Sequence, residues 1–141
     1  MSVSEILSGK GGNVITVTPE TSLEEVTKTL ATHRIGALVA KDGDEVCGIV
    51  SERDIVRQIA AEGSQALQNT ASHCTTKAVI SCTSSDSIDV VMEKMTQGRF
   101  RHLPVIEDGK LLGIISIGDV VKRKIEIAER DAEALKQYIA S

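Results

Sequence analysis

The chain says one thing twice. Gly48-Ile49-Val50-Ser51-Glu52-Arg53-Asp54-Ile55-Val56 returns as Gly113-Ile114-Ile115-Ser116-Ile117-Gly118-Asp119-Val120-Val121. The same ungapped shift of 65 residues superposes Val14-Ile15 on Val79-Ile80, Ser22 on Ser87, Val26 on Val91, Arg34 on Arg99 and Leu38 on Leu103. A fixed-period repeat constrains the fold more than any single motif, because each copy must be one supersecondary unit. In 141 residues the two copies are half-size units sharing a core. A site carried by one copy is carried, in altered form, by the other.

Each copy reads β-α-β-β-α. Val14 to Thr18 alternates apolar and polar residues and stops at Pro19, and Ser22 then caps a helix with Leu23, Val26, Thr27 and Leu30 at helical spacing. Ile35 to Ala40 and Val46 to Ser51 form a hairpin around Asp42-Gly43-Asp44, and a second helix runs from about Glu52 to Ala61. In the second copy the spacing predicts a strand over Val79 to Thr83 and a helix over Asp86 to Gln97. A hairpin around Asp108-Gly109 follows, and a last helix runs from Ile117 towards Tyr138, outrunning its counterpart. The Ser-, Thr-, Gln- and Asn-rich stretch Gly63 to Thr76 connects the copies. The division is residues 1–66 for the first repeat with its N-terminal segment, 67–125 for the second, and 126–141 for a helical extension. With few strands and helices on one side, neither unit buries its sheet alone. The expected fold is α/β (α+β), two repeats packed sheet to sheet with pseudo-two-fold symmetry.

Composition narrows the function. Apolar residues make up 41%, yet Phe100 and Tyr138 are the only aromatics, so the core is aliphatic and base-stacking nucleic-acid modules are disfavoured. A net charge of −4 disfavours a phosphate-backbone binder further. No apolar run approaches the roughly 20 residues that span a membrane, and the start lacks a leader pattern. Three cysteines with no CxxC fit a reducing compartment, with Cys82 and Cys47 at apolar positions of the repeat. The reading is a cytoplasmic protein with no nucleic-acid or membrane partner.

Ser51-x-x-Asp54 and Ser116-x-x-Asp119 stand where a strand gives way to a helix. As Ser at N-cap with an acid at N3, each is explained by a capping box alone. Two details exceed that need. A Gly stands three residues before the Ser both times, and the acid is Asp although the longer Glu closes a capping box better. A carboxylate in the first turn of a helix can also accept hydrogen bonds from a ribose diol.

Gly-Ile-x-Ser-x-x-Asp, Arg101-His102-Leu103-Pro104-Val105, and the strand openings Val14-Ile15-Thr16-Val17 and Val79-Ile80-Ser81-Cys82 resemble the cystathionine-β-synthase (CBS) domain family, over about residues 3 to 125. The chain is similar to a stand-alone CBS pair, or Bateman module. The resemblance implies a regulatory module that binds adenosine-containing ligands (AMP, ADP, ATP, NAD or NADH, S-adenosylmethionine), requires no cofactor and is not an enzyme. It implies a homodimer and an unknown protein partner. It also implies clefts shared between repeats. Cleft A pairs Ile49, Ser51 and Asp54 with Lys77, Val79, Ile80, Arg101, His102 and Pro104. Cleft B pairs Ile114, Ser116 and Asp119 with Gly12, Val14, Ile15, Gly36, Ala37 and Val39. Where A offers Lys77, Arg101 and His102 to phosphate, B offers Gly12, Gly36 and Ala37, so A is the favoured nucleotide site.

Each assignment has a plainer rival. Arg101 and His102 also read as exposed edge-strand residues, and Lys77 as a loop lysine. Arg34 and Arg99 read as complements to a helix dipole or as phosphate contacts. Phe100 reads as core or as a wall for adenine. No nucleophile–base pair, HExxH or P-loop is present in the sequence. Two further functions fit the same residues: an interaction or dimerisation module with vestigial clefts, and an NAD(H)-linked redox regulator of a partner enzyme.

Overall fold

Three serines start three helices. In the computed structural model, which describes residues 2–10, 14–75 and 80–140, the Ser22 Oγ accepts the Glu25 N–H at 3.2 Å and opens a helix at Leu23–His33. Ser87 does the same for Val90 and opens Ile88–Gly98, and Ser51 opens Glu52–Glu62. With an N-terminal helix at Val3–Lys10, a one-turn helix at Ala71–Cys74 and a long last helix at Ile117–Ala140, the set in chain order is α1 (3–10), α2 (23–33), α3 (52–62), α4 (71–74), α5 (88–98) and α6 (117–140). Both α2 and α5 end on an arginine in the left-handed region, Arg34 at φ 54° and Arg99 at φ 55°.

The strands are β1 (Thr16–Val17), β2 (Ala37–Asp42), β3 (Glu45–Ser51), β4 (His102–Glu107) and β5 (Lys110–Ser116). In the first repeat β1 pairs parallel with β2, and β2 antiparallel with β3. In the second, β4 pairs antiparallel with β5. Both hairpins slip register at the same place, after Ala40 and after Val105, leaving Cys47 and Leu112 as the extra residue of a bulge. That is why Cys47 is half-buried, whereas Cys82 is a core residue at 1% exposure.

Alternate residues of a strand point to opposite faces, so the unbroken burial of Ala37, Leu38, Val39 and Ala40 means that β2 is covered on both sides. Leu38 and Ala40 face the helices, packing with Leu23, Val26, Leu30, Val50 and Ile55. Leu103, Val105 and Ile115 do so in the second repeat, with Ile88, Val91, Met95 and Val120. The opposite faces meet between the repeats, in the expected paired arrangement.

Four local expectations change. The strand over Val79 to Thr83 shrinks, among the described residues, to one bridge between Cys82 and Val105. The first repeat uses the Val39 N–H to bond the Ile15 carbonyl at 3.4 Å, but the matching donor in the second belongs to Pro104, which has none. The first hairpin turns on Gly43-Asp44 rather than at Asp42, with Gly43 at φ 59°. The connector, for which no element was expected, holds a 3-10 helix at Gly63–Gln68 followed by α4. The sequence also gave no sign of α1.

These two short helices cross over. Helix α4, lying just before the second repeat, seats Ala71 in the first core, with the Ala71 N–H on the Thr21 carbonyl at 2.7 Å. Helix α1, lying before the first repeat, buries Val3 and Ile6 in the second core. Its backbone bonds Val3 N–H to the Asp86 carbonyl and Ser4 N–H to the Ser84 carbonyl, both at 2.9 Å. The close approach needs Gly113, where a β-carbon would stand 2.5 Å from Leu7 Cδ2. Among the described residues no helix is long and apolar enough to cross a membrane.

Candidate ligand-binding clefts

The Ser-x-x-Asp pairs are capping boxes, and in the first repeat the box leaves something over. Asp54 Oδ2 accepts both the Ser51 N–H at 3.0 Å and the Ser51 hydroxyl at 2.8 Å, while Ser51 Oγ accepts the Asp54 N–H at 3.2 Å. Oδ1 carries no hydrogen bond among the described residues. A half-buried carboxylate with one oxygen engaged holds its rotamer and keeps a strong acceptor for an incoming hydroxyl.

Around it lies a cavity of about 300 Å³ between the repeats. Ile49, Ser51 and Asp54 line it from the first repeat; Ile80, Arg101, His102 and Pro104 line it from the second. These are all the residues expected in cleft A except Lys77 and Val79, which lie outside the described residues. Gly36, expected in cleft B, instead forms part of this wall, its α-carbon facing His102 and Glu52. The Gly36 carbonyl accepts the Glu52 N–H at 2.9 Å, and Arg101, its counterpart, accepts the Ile117 N–H at 2.8 Å. The residue before each central strand is thereby pinned to a helix start.

The cavity also contains Arg53 and Arg57 from α3, cations that the motifs did not flag, and Arg99, which the repeat had marked for a helix dipole or a phosphate, beside Arg101. A signal was present: the 65-residue shift sets Arg53 against Gly118, a difference inside the motif itself. Four arginines against Glu52 and Asp54 leave this space positive, and a charge-assisted contact to phosphate contributes about 1.5–3 kcal/mol. Phe100 packs on the second core and also lines the cavity. Its ring lies so close over Gly98 that a β-carbon there would overlap it. Cys74 also borders the space, its thiol pushed up to about 11 by burial and by the charges of Asp54 and Glu62. Burial raises the Cys82 thiol to about 11 as well, so neither is a ready thiolate.

His102 does not supply the expected positive charge. Burial, then the nearby Lys10 ammonium, hold its imidazole below the ordinary 6.5 against the pull of Asp119 and Glu52. At pH 7 it is neutral and has a hydrogen bond to offer, but no charge.

Cleft B is built differently. Ser116 N–H bonds Asp119 Oδ2 at 2.9 Å and Asp119 N–H bonds Ser116 Oγ at 3.1 Å, so the second capping box is complete. Lys10, the last residue of α1, then sets its ammonium 2.6 Å from Asp119 Oδ2 and 2.9 Å from the Ile114 carbonyl. Burial raises the Asp119 carboxyl, but Lys10 and the Ser116 N–H outweigh it and hold the group below the usual range. Ile114, Ser116 and Asp119 are thus gathered around a lysine from the chain's own start. Ile15 is taken up in the backbone pairing with Val39, Val14 precedes it half-buried, Ala37 and Val39 are buried, and Gly12 lies outside the described residues. No group of His, Cys, Asp and Glu that could hold a metal ion occurs among the described residues.

Comparison with known proteins places this geometry in a family. The model for the CBS domain matches residues 3–61 and again 71–126. The crystal structure of the CBS-domain containing protein ATU1752 from Agrobacterium tumefaciens is 48% identical, with a TM-score of 0.84 over 87% of this chain and 92% of that one. The mitochondrial CBS domain-containing protein CBSX3 of Arabidopsis thaliana is 30% identical over 146 residues, 97% of this chain and 71% of its own length. The CBS domain protein PAE2072 from Pyrobaculum aerophilum, complexed with AMP, is 28% identical with a TM-score of 0.74, covering 84% of this chain and 89% of that one.

Proposed function

Because the chain belongs to the CBS domain family, we propose that it is a regulatory module whose cleft A binds an adenine nucleotide, AMP foremost, and whose response is read by a partner protein. One observation carries this reading: the inter-repeat cavity joins a capped carboxylate with an unengaged oxygen to four arginines. Asp54 Oδ1 accepts the ribose hydroxyls, and the arginines meet the phosphate that a carboxylate would repel. The adenine lies among Ile49, Ile80, Pro104 and Phe100, where the Ile80 carbonyl lacks the donor that Pro104 cannot supply. The relative crystallised with AMP supports the choice of ligand. Ligand held by residues of both repeats favours one relative orientation of the two, and a partner reads that orientation.

The completeness of both capping boxes favours a second reading, an interaction module whose clefts are unused. The raised thiols of Cys74 and Cys82 lend a thiol-based redox role no support, and the NAD(H)-linked reading is tested by the nicotinamide ligands of the panel below.

A thermal-shift panel with AMP, ADP, ATP, NAD, NADH and S-adenosylmethionine separates the two. Ligand at a hundred times its Kd adds about 2.7 kcal/mol, several degrees for a domain of this size. The expected result is a shift with AMP that Asp54→Ala abolishes and Asp119→Ala spares. Loss of the cap alone costs apo stability, about 0.5–2 kcal/mol, in either reading. No shift with any of the six ligands would sink the nucleotide reading.

A further inference from the structure

Helix α6 packs on its own protomer through its first half. Val120 is buried, Ile127 packs against the second core, Arg123 holds Glu5 at 2.9 Å and Lys124 holds Asp89. From Ala128 to Ala140 every residue is exposed. An isolated helix of that length is marginal in water unless its apolar stripe is covered.

The stripe has a definite period. Val121, Ile125, Ala128, Ala132, Leu135 and Ile139 alternate at spacings of four and three, the a and d positions of a heptad repeat. Val121, Ile125, Leu135 and Ile139 are 46%, 54%, 59% and 74% exposed. A period of 3.5 faces another helix rather than a sheet or a broad groove.

Charges beside the stripe select the partner. With Ile125 and Ala132 at a, the e positions are Lys122, Glu129 and Lys136, and the g positions include Lys124 and Asp131. In a parallel pair of identical helices each g residue meets the following e residue of the other chain. Asp131 then meets Lys136 of a second copy, and Lys124 meets Glu129. Lys124 is already engaged by Asp89, so Asp131 with Lys136 decides the matter. In the antiparallel pair centred near residue 130, e faces e and g faces g. Asp131 then meets Asp131, Glu129 meets Glu129 and Lys122 meets Lys136, like charge against like. Among the described residues of one protomer, neither Asp131 nor Lys136 has an ion pair.

We propose that the projecting half of α6 pairs with the same segment of a second copy as a parallel two-stranded coiled coil. Sedimentation equilibrium of the full chain at low salt tests this. Lys136→Glu or Asp131→Lys alone turns two attractive contacts per dimer into repulsive ones and weakens dimerisation about tenfold. The double variant, Asp131→Lys with Lys136→Glu, restores it. A chain that is monomeric throughout, or a dimer indifferent to both single changes, overturns the proposal. As a second measurement, Leu135→Cys in a chain with Cys47, Cys74 and Cys82 replaced by serine cross-links to itself on oxidation when the pair is parallel. Failure to cross-link in a dimer overturns the parallel arrangement.

Discussion

Asp54 and Asp119 occupy matched places in the repeat, use the same oxygen for the same cap, and differ in what stands beside them. Arg53 and Arg57 flank the first across the cavity wall, and Lys10 sits on the second. The identity of both carboxylates was legible in the sequence because a repeat marks its own equivalent positions. Lys10 was not, because it reaches Asp119 from 109 residues away, from the last turn of a helix that nothing in the sequence announced. His102 shows the same limit. Its place in the cleft followed from the motif, but its charge depends on burial and on Lys10, which only the folded chain brings near. The unfolded chain protonates this histidine near pH 6.5 while the folded chain resists, so stability falls as pH drops through 6.5 towards the lowered folded value. Urea midpoints at pH 7.5 and 5.5 should therefore drop more for the native chain than for His102→Gln. The opposite ranking would mean that Asp119 and Glu52 outweigh burial.

Helix starts were readable from Ser22 and Ser51, and the one after Ser87 was placed two residues early, at Asp86; the helix ends were not readable. No Gly follows α2 or α5, so nothing in the composition announces that Arg34 and Arg99 close them in the left-handed region. That conformation costs an ordinary residue about 1–2 kcal/mol. Glycine at either position relieves it, and the apo melting temperature is expected to rise by about 4 °C for Arg34→Gly and for Arg99→Gly alike. Only Arg99 borders the cavity, so only Arg99→Gly should weaken AMP while leaving adenosine unaffected, as read by isothermal titration. Equal loss for the two ligands would remove Arg99 from the phosphate; a lower melting temperature would deny the strain. Among the described residues, the single bridge at Cys82 in place of a strand has a related origin. Pro104 was recognised as part of a motif, but its consequence, a ladder bond that cannot form, follows only once its counterpart Val39 is seen donating to the Ile15 carbonyl.

The pairing of the repeats was the most legible feature of the molecule, since half-size units that cannot bury their own sheets must cover each other. How they are tied together was hidden. Helices α1 and α4 each close the repeat that they do not precede in the expected order, and α1 brings Lys10 into cleft B as it docks. Lys10→Ala is expected to raise bound AMP from one to two per chain in equilibrium dialysis. The cost to stability should be no more than about 1 kcal/mol, because the pair is partly exposed. A count that stays at one would mean that the absence of arginines, not Lys10, keeps cleft B closed. The crossed helices bear on synthesis as well as on binding. A growing chain folds from its N-terminal end as it emerges, and the first repeat has everything it needs once Ala71 is out. The surface that buries Val3 and Ile6, by contrast, is complete only when Val120 has been made. Helix α1, made long before α6, must wait, apolar side uncovered, for that later helix to arrive.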